Sequence, residues 1–141
     1  KVTFYRQSSI KMNLVKSNSI DKIFVSNFFE HLNRDDIILT IQECHRILKK
    51  AGQILILKPN IRILATDFWR IIDHITPIDD RAMEELFSSK GFFLTKIILK
   101  FLPFTTKNSL PKSSILVKLY LKLPTLWNIF GKQSFILFEK L

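Results

Sequence analysis

Asp73 and His74 are adjacent residues in this chain with a clear capacity for proton transfer. An imidazole titrates near neutral pH, so a histidine beside a carboxylate could remove a proton from a substrate hydroxyl. Asn60, Asp67 and Trp69 lie in the same polar and aromatic connection. The structural alternative is that Asp73 and His74 cap a short local helix and hydrogen-bond the loop. Both interpretations stay open from the sequence.

His31, which follows Glu30, is a second candidate base. It either takes a proton from a substrate or makes a local orienting hydrogen bond. His45, in a predicted helix, is expected to face solvent. One cysteine and three dispersed histidines have no metal-ligand spacing, so the sequence predicts no metal site. No serine is flanked by the glycines of a nucleophile elbow.

A strand, a helix and a second strand are predicted to position these residues. Residues 22–26 form a short apolar run that is typical of a buried strand. Asn33 is a candidate N-cap for an amphipathic helix. The apolar stripe of that helix is predicted to consist of Ile37, Ile41, Cys44 and Leu48. Cys44 is therefore expected to be a small core residue rather than a reactive thiol.

The end of this helix and the second strand are also predicted. Lys49 and Lys50 are expected in the last helical turn, and Gly52 at a left-handed end. Residues 53–57 predict the second strand, which Pro59 ends. Two such strands joined by a helix are expected to pair in parallel, with the ligand site beyond their carboxyl ends.

The remainder of the chain predicts further alternation of helices and strands. Asp79 or Asp80 is expected to cap a helix that Gly91 terminates. The other predicted elements are a short helix around 67–72, a strand over 92–100 broken by Pro103, a loop over Thr105–Ser114, a helix over 114–123 and a strand over 134–138. Residues 92–100 and 134–138 are expected to pair antiparallel.

Several segments resemble the class I S-adenosylmethionine-dependent methyltransferases. The similarity is carried by Asp21 before the first predicted strand, by the triplet Glu30-His31-Leu32 and by residues 45–60, HRILKKAGQILILKPN. In that family the last segment has the form R-hydrophobic-L-K-P-G-G and leads into the fifth strand. Short motifs between residues 67 and 133 resemble a bacterial type 11/12 branch found with cell-surface polysaccharide biosynthesis.

The resemblance implies an α/β fold with a Rossmann-like sheet, mainly parallel with an antiparallel last strand. It implies S-adenosylmethionine as cofactor and O- or N-methylation of a small or sugar-derived acceptor. The implied catalytic residues are His74, Asp73 and His31. The implied cofactor contacts are Ser8, Ser9, Ser26, Asn27 and Phe28, and the implied substrate contacts are Asn60, Asp67 and Trp69.

One feature of the family is absent from the sequence. The three glycines, Gly52, Gly91 and Gly131, lie far apart and form no glycine-rich loop. The family's methionine-binding loop and ribose-binding acid precede the position where this chain starts, so residues 2–5 correspond to its third strand. The chain is therefore expected to be the carboxyl-terminal part of one methyltransferase domain, without the amino-terminal strands and inactive by itself.

The composition fits one domain, since the chain has 141 residues of which 47% are hydrophobic. No apolar run has the length of a membrane span, and a cytoplasmic location is the expectation. The formal net charge is +10, and residues 90–141 contain nine lysines against one acid, Glu139. Such asymmetry suggests an anionic partner, although a solvated lysine-rich face explains it equally well.

The alternative function is therefore a non-enzymatic module that docks on an anionic membrane or nucleic acid, of which nucleic acid is disfavoured. Residues 113–130 are expected to form a basic, aromatic-edged helical segment rather than buried core. Tyr120, Trp127 and Phe130 are its candidates for reaching an interface, and the pattern suits shallow contact with the inner membrane face. A helix that simply packs across the sheet edge remains the alternative for this segment. The sequence indicates neither the acceptor nor the oligomeric state.

Overall fold

The computed structural model describes residues 2–104 and 113–141. These residues form one mixed four-stranded sheet, and the described helices lie between successive strands of the sequence. The strands are β1 (Ile20–Ser26), β2 (Leu48–Pro59), β3 (Phe92–Leu102) and β4 (Gln133–Lys140). The helices are α1 (Arg34–Ile47), α2 (Ile61–Leu64), α3 (Asp80–Ser88), α4 (Ser114–Lys122) and α5 (Pro124–Phe130). Two 3₁₀ turns cover Phe29–His31 and Ala65–Arg70.

The strand order is β1-β2-β4-β3. β1 and β2 pair in parallel, with Ile23 opposite Ile54 and Val25 opposite Ile56, as the sequence predicted. β4 lies between β2 and β3 and is antiparallel to both. The prediction of a mainly parallel sheet was therefore wrong for the described strands, of which only β1 and β2 pair in parallel. Because the last strand inserts into the sheet instead of adding at its edge, two of the three ladders are antiparallel.

The core lies between the sheet and the pair α1 and α3. The predicted stripe of α1 is buried, and Asn33 caps that helix by accepting a hydrogen bond from the Asp36 N–H at 2.9 Å. Asp79 caps α3 in the same way, through the Ala82 N–H at 2.8 Å. The rings of Phe87 and Phe138 stack with centroids 4.4 Å apart, which joins α3 to the centre of the sheet.

The junction between α1 and β2 differs from the prediction. α1 ends at Ile47, so Lys49 and Lys50 belong to β2, and it is His45 and Arg46 that occupy the last helical turn. Gly52 is buried and has no positive φ; the left-handed residue is Ala51, at φ 57°. The strand pairing shifts here, since Ile20 lies opposite Leu48 while Lys22 lies opposite Gln53. The extra β2 residues form a bulge, which takes the place of a glycine-terminated helix.

The amino-terminal segment also differs from the prediction. Residues 2–5 form no strand, and Val2 and Phe4 are exposed. A strand is stabilised by pairing with a neighbour, and no described strand lies beside these residues. The predicted loop Thr105–Ser114 lies largely outside the described residues.

α4 confirms the predicted helix over 114–123, and Pro124 opens the short helix α5. No residue in either helix is buried, as expected for residues 113–130. Tyr120 and Trp127, which were expected to reach an interface, instead face β3. The Tyr120 hydroxyl donates to the Phe101 carbonyl at 2.7 Å, and the Trp127 ring meets the Phe101 ring edge-on at 5.0 Å.

Candidate active site

The carboxyl ends of β1 and β2 meet where the sequence directs attention. The Asn27 N–H donates to the Leu57 carbonyl at 2.8 Å, and the chain then turns through the 3₁₀ segment Phe29–His31. The Glu30 carbonyl accepts hydrogen bonds from the N–H groups of Ile75 and Thr76, at 2.8 and 3.1 Å. These bonds hold the segment after β2 against the segment after β1, and so bring residues 30, 31 and 74 together.

The two imidazoles in this cluster have defined tautomers. His31 Nδ1 lies 3.0 Å from the Asp73 carbonyl, and His74 Nδ1 lies 2.8 Å from the Phe68 carbonyl. A carbonyl only accepts, so each Nδ1 carries the proton and each Nε2 of a neutral ring keeps a free electron pair. The rings are 5.2 Å apart between centroids.

Asp73 and His74 are adjacent in sequence, but their side chains have different partners. The Asp73 carboxylate lies 3.4 Å from His31 Nδ1, while His74 points to Phe68. Sequence neighbours in this turn project in different directions, so Asp73 reaches the other imidazole. His74 is 8% exposed, and burial lowers its pKa, an effect opposed by the hydrogen bond to the Phe68 carbonyl. Burial of His74 therefore favours its neutral imidazole.

Glu30 completes the cluster and was not among the predicted site residues. It is 1% exposed, and in the described part of the chain neither carboxylate oxygen has a hydrogen-bond partner. Burial raises the pKa of this carboxyl, an effect opposed by nearby backbone N–H groups, Lys58 and His31. The Glu-His doublet was a visible signal, but only the fold shows that the carboxylate is turned inward.

Lys58 is a second buried charge that was not among the predicted site residues. It is 1% exposed, and its ammonium donates to the carbonyls of Pro59 and Ile78. Desolvation lowers its pKa to about 8, an effect opposed by the charges of Glu30, Asp79 and Asp80. Within an apolar strand, a lysine gives no sequence signal that its end is buried.

The side chain of Asn60 is engaged in hydrogen bonds to neighbouring elements of the fold. Its amide donates to Asp80 Oδ1 at 2.8 Å and to Ser134 Oγ at 3.0 Å, and its oxygen accepts from the Arg62 N–H at 3.1 Å. The side chain is fully buried, and these bonds join the end of β2 to α2, α3 and β4. Its contact with a substrate stays a prediction.

Asp67 and Trp69 lie in the 3₁₀ segment Ala65–Arg70, close to the predicted short helix. Asp67 forms ion pairs with Arg70 at 3.0 Å and Lys132 at 3.1 Å, and the hydrogen bond from Lys132 lowers its pKa. Trp69 is 56% exposed, so its ring is available to a ligand. The substrate roles of both residues remain predictions.

The candidate cofactor residues fall into two groups. Ser26, Asn27 and Phe28 lie at the carboxyl end of β1, where Asn27 has φ 46° and both polar side chains are exposed. Ser9 instead bonds Thr40 on α1, with 3.0 Å between the hydroxyl oxygens. No hydrogen bond among the described residues joins Ser8 or Ser9 to the first group. The structure thus leaves their shared role in cofactor binding a prediction.

A cleft of about 500 Å³ lies between the first turns of α1, the segment 76–78 and α3. It is lined mainly by apolar side chains, including Ile37, Pro77 and Leu86. It contains neither imidazole, so we place the candidate chemistry at the strand ends rather than in this cleft.

Comparisons with known proteins concern the fold around this cluster. The family described as "Methyltransferase domain" matches residues 2–56. A search of curated proteins gives no match. Among solved structures, an S-adenosylmethionine-dependent methyltransferase from Archaeoglobus fulgidus has a TM-score of 0.66 at 17% identity, over 97% of this chain and 66% of its own. The chain has the methyltransferase fold.

Two further structures support this assignment of the fold. One from Thermotoga maritima, described as a possible histamine N-methyltransferase, has a TM-score of 0.70 at 14% identity, over 99% of this chain and 65% of its own. One from Methanosarcina mazei has a TM-score of 0.67 at 11% identity, over 96% and 65%. The chain thus spans less than two thirds of the length of these methyltransferases. The family match over residues 2–56 implies S-adenosylmethionine as the cofactor.

The residues present fit part of this cofactor. At the carboxyl end of β1, Ser26 and Asn27 offer exposed polar groups, and Phe28 offers a half-buried aromatic ring. These groups suit the adenosine part of the ligand. The sequence has no glycine-rich loop whose backbone could approach the methionine part closely. When bound, the cofactor supplies the electrophilic methyl group of its sulfonium.

Proposed function

We propose that this chain contributes to S-adenosylmethionine-dependent methyl transfer onto a hydroxyl or amino group of a small or sugar-derived acceptor. The observation that carries the proposal is the polar cluster at the carboxyl ends of β1 and β2 in a methyltransferase fold. Ligands of open α/β sheets bind at this edge. The polysaccharide-biosynthesis setting is part of the proposal and is supported by the short sequence motifs between residues 67 and 133.

Within the cluster, His31 is the proposed proton acceptor. Its Nε2 holds a free electron pair, its Nδ1 lies near the Asp73 carbonyl and carboxylate, and its side chain is 30% exposed. A proton leaving an acceptor hydroxyl would bind Nε2 as the oxygen takes the methyl group that the cofactor would supply, whose bond to the sulfonium sulfur would break with the electron pair left on sulfur. The nearby Asp73 carboxylate would stabilise the resulting imidazolium. His74, which is more buried, would orient the acceptor.

The test is a transfer assay on the full-length product of the source gene, with radiolabelled S-adenosylmethionine and a panel of sugar and amino-sugar acceptors. Removal of a general base typically slows a reaction by about 10²–10⁴-fold. We expect His31→Gln to lower kcat by about this factor. His45→Gln should leave kcat unchanged, because His45 lies in the last turn of α1, at the end of the helix away from His31. Equal loss in both variants, or no transfer to any acceptor, would contradict the proposal.

A separate calorimetric measurement tests cofactor binding independently of methyl transfer. We propose that the 141 residues alone bind S-adenosylmethionine weakly and are inactive, because they carry no glycine-rich loop. Micromolar binding by these residues would contradict this part of the proposal. It would leave the transfer reaction itself to be judged by the assay.

Peripheral membrane contact is the second candidate, as an addition to catalysis. α4 has no buried residue, and it exposes Ile115, Val117 and Leu119 together with Lys118 and Lys122. Basic residues beside exposed apolar side chains suit the surface of an anionic bilayer. No described helix is long and apolar enough to cross a membrane. The comparisons give no support to a purely non-enzymatic module or to nucleic acid binding.

A further inference from the structure

The Glu30 carboxylate is buried, and its charged neighbours Lys58 and His31 do not hydrogen-bond to it. Its side chain is 1% exposed, and both oxygens lack a hydrogen-bond partner among the described residues. An unpaired buried carboxylate is strongly unfavourable, so such groups are neutralised by a proton or bind a cation. Lys58 is nearby, but its ammonium donates to the carbonyls of Pro59 and Ile78 and forms no ion pair with Glu30 within 4.0 Å.

Two imidazole nitrogens face this carboxylate. His31 Nε2 lies 4.0 Å from Glu30 Oε1, and one ligand atom from each of Glu30, His31 and His74 falls within 4.8 Å of the others. Both Nδ1 atoms are engaged by the backbone carbonyls of Asp73 and Phe68. Metal-binding histidines typically donate their other ring N–H to such a carbonyl, which fixes the ring and frees the ligating nitrogen.

We propose that Glu30, His31 and His74 bind a divalent transition-metal ion, for which Zn²⁺ is the simplest probe. Imidazole ligands favour such ions over Mg²⁺ and Ca²⁺, which prefer oxygen. In a tetrahedral zinc site with bonds of about 2.0–2.2 Å, ligand atoms are about 3.3 Å apart. The side chains therefore close by roughly an ångström on binding, starting from atoms within 4.8 Å.

The site has the form of a catalytic rather than a structural metal centre. Three protein ligands leave one tetrahedral position open for water or an acceptor oxygen. His31 is part-exposed, so solvent reaches this side of the cluster. An oxygen bound there would have a lowered pKa. A role for this lowered pKa in catalysis rests on the proposed methyl transfer, whereas metal binding itself does not. Metal binding and proton acceptance use the same His31 nitrogen and are alternative uses of the site.

The test is direct titration of the EDTA-treated 141-residue protein with ZnCl₂, by calorimetry at pH 7.5. We expect one equivalent to bind, with affinity reduced at least about tenfold in Glu30→Gln, His31→Gln and His74→Gln. The matched control is His45→Gln, since His45 packs on Phe92, away from the cluster. Circular dichroism establishes which variants are folded.

Nitrogen NMR of the wild-type histidine rings keeps the proposal testable even if a variant fails to fold. Without zinc, His31 and His74 should both show the Nδ1–H tautomer. Zinc should shift their Nε2 signals and leave those of His45 in place. Absence of binding, a shift confined to His45, or equal loss of affinity in His45→Gln would overturn the metal site. None of these outcomes depends on methyl transfer.

Discussion

Lys58 carries an ammonium group into the interior at the end of β2. It is 1% exposed, and desolvation lowers its pKa to about 8 from an ordinary value of 10.5. Since the folded pKa lies below the unfolded one, the unfolded chain binds the extra proton between about pH 8 and 10.5. Stability therefore rises as the pH increases through this window. Below it, protonated Lys58 imposes its full cost on the fold.

This cost gives a residue-scale prediction. Relative to Lys58→Met, the wild-type free energy of unfolding should rise by about 2–3 kcal/mol between pH 8 and 10.5. Urea denaturation of both proteins at a series of pH values measures the difference. The variant controls for other groups that titrate there, including Tyr120, whose pKa is raised by burial. Parallel curves for the two proteins would show that Lys58 keeps an ordinary pKa.

Residue-scale chemistry was only partly predictable from the sequence. His31, Asp73 and His74 were selected by residue type, and the fold does bring them together. The sequence could not indicate which of them pair, because neighbouring residues in a turn point in different directions. Glu30 was passed over, since burial of a carboxylate depends on segments more than 40 residues away that fold over it.

At the scale of elements, amphipathic patterns and caps predicted α1, α3 and the four strands well. The patterns succeed because a buried stripe and an N-cap are local requirements. The prediction for the α1–β2 junction was wrong because it also relied on a local signal. The glycine at position 52 suggested a helix stop, but the chain enters β2 through a bulge. The insertion of β4 between β2 and β3 depends on long-range pairing and has no local signal.

The bulge gives an element-scale prediction. Ala51 is exposed and has φ 57°, a left-handed conformation that costs a residue with a Cβ about 1–2 kcal/mol. Ala51→Gly should therefore raise the free energy of unfolding, by about 1 kcal/mol once the greater flexibility of the unfolded chain is counted. Thermal and urea denaturation measure it.

The matched control is the neighbouring exposed residue, Lys50, which has no positive φ. Lys50→Gly should lower the free energy of unfolding by about 0.5–1 kcal/mol, because glycine only adds flexibility there. If both glycine variants destabilise the protein equally, the left-handed conformation at Ala51 is wrong.

At the scale of the whole molecule, charge and exposed apolar surface coincide at the carboxyl-terminal end. The nine lysines of residues 90–141 include two on α4. On that helix Ile115 is 75% exposed and Leu119 is 52% exposed. Tyr120 hydrogen-bonds β3 and Trp127 hydrogen-bonds Tyr120, which holds α4 and α5 against the sheet and against each other. The face of α4 that stays exposed is apolar and basic. Among the aromatic residues of α4 and α5, Phe130 is the exposed one, at 55%, and would enter the headgroup layer.

This surface gives a prediction for the whole protein on vesicles. The full-length product should co-sediment with anionic vesicles more than with neutral ones, and Lys118→Glu with Lys122→Glu should reduce binding. A basic residue near such a surface contributes about 1 kcal/mol, so two reversals should weaken binding by at least tenfold. The control is Lys22→Glu with Lys50→Glu, which changes the net charge equally on exposed residues of β1 and β2. If both double variants lose binding equally, net charge and not α4 is responsible. Binding unchanged in the α4 variant excludes this helix as the contact.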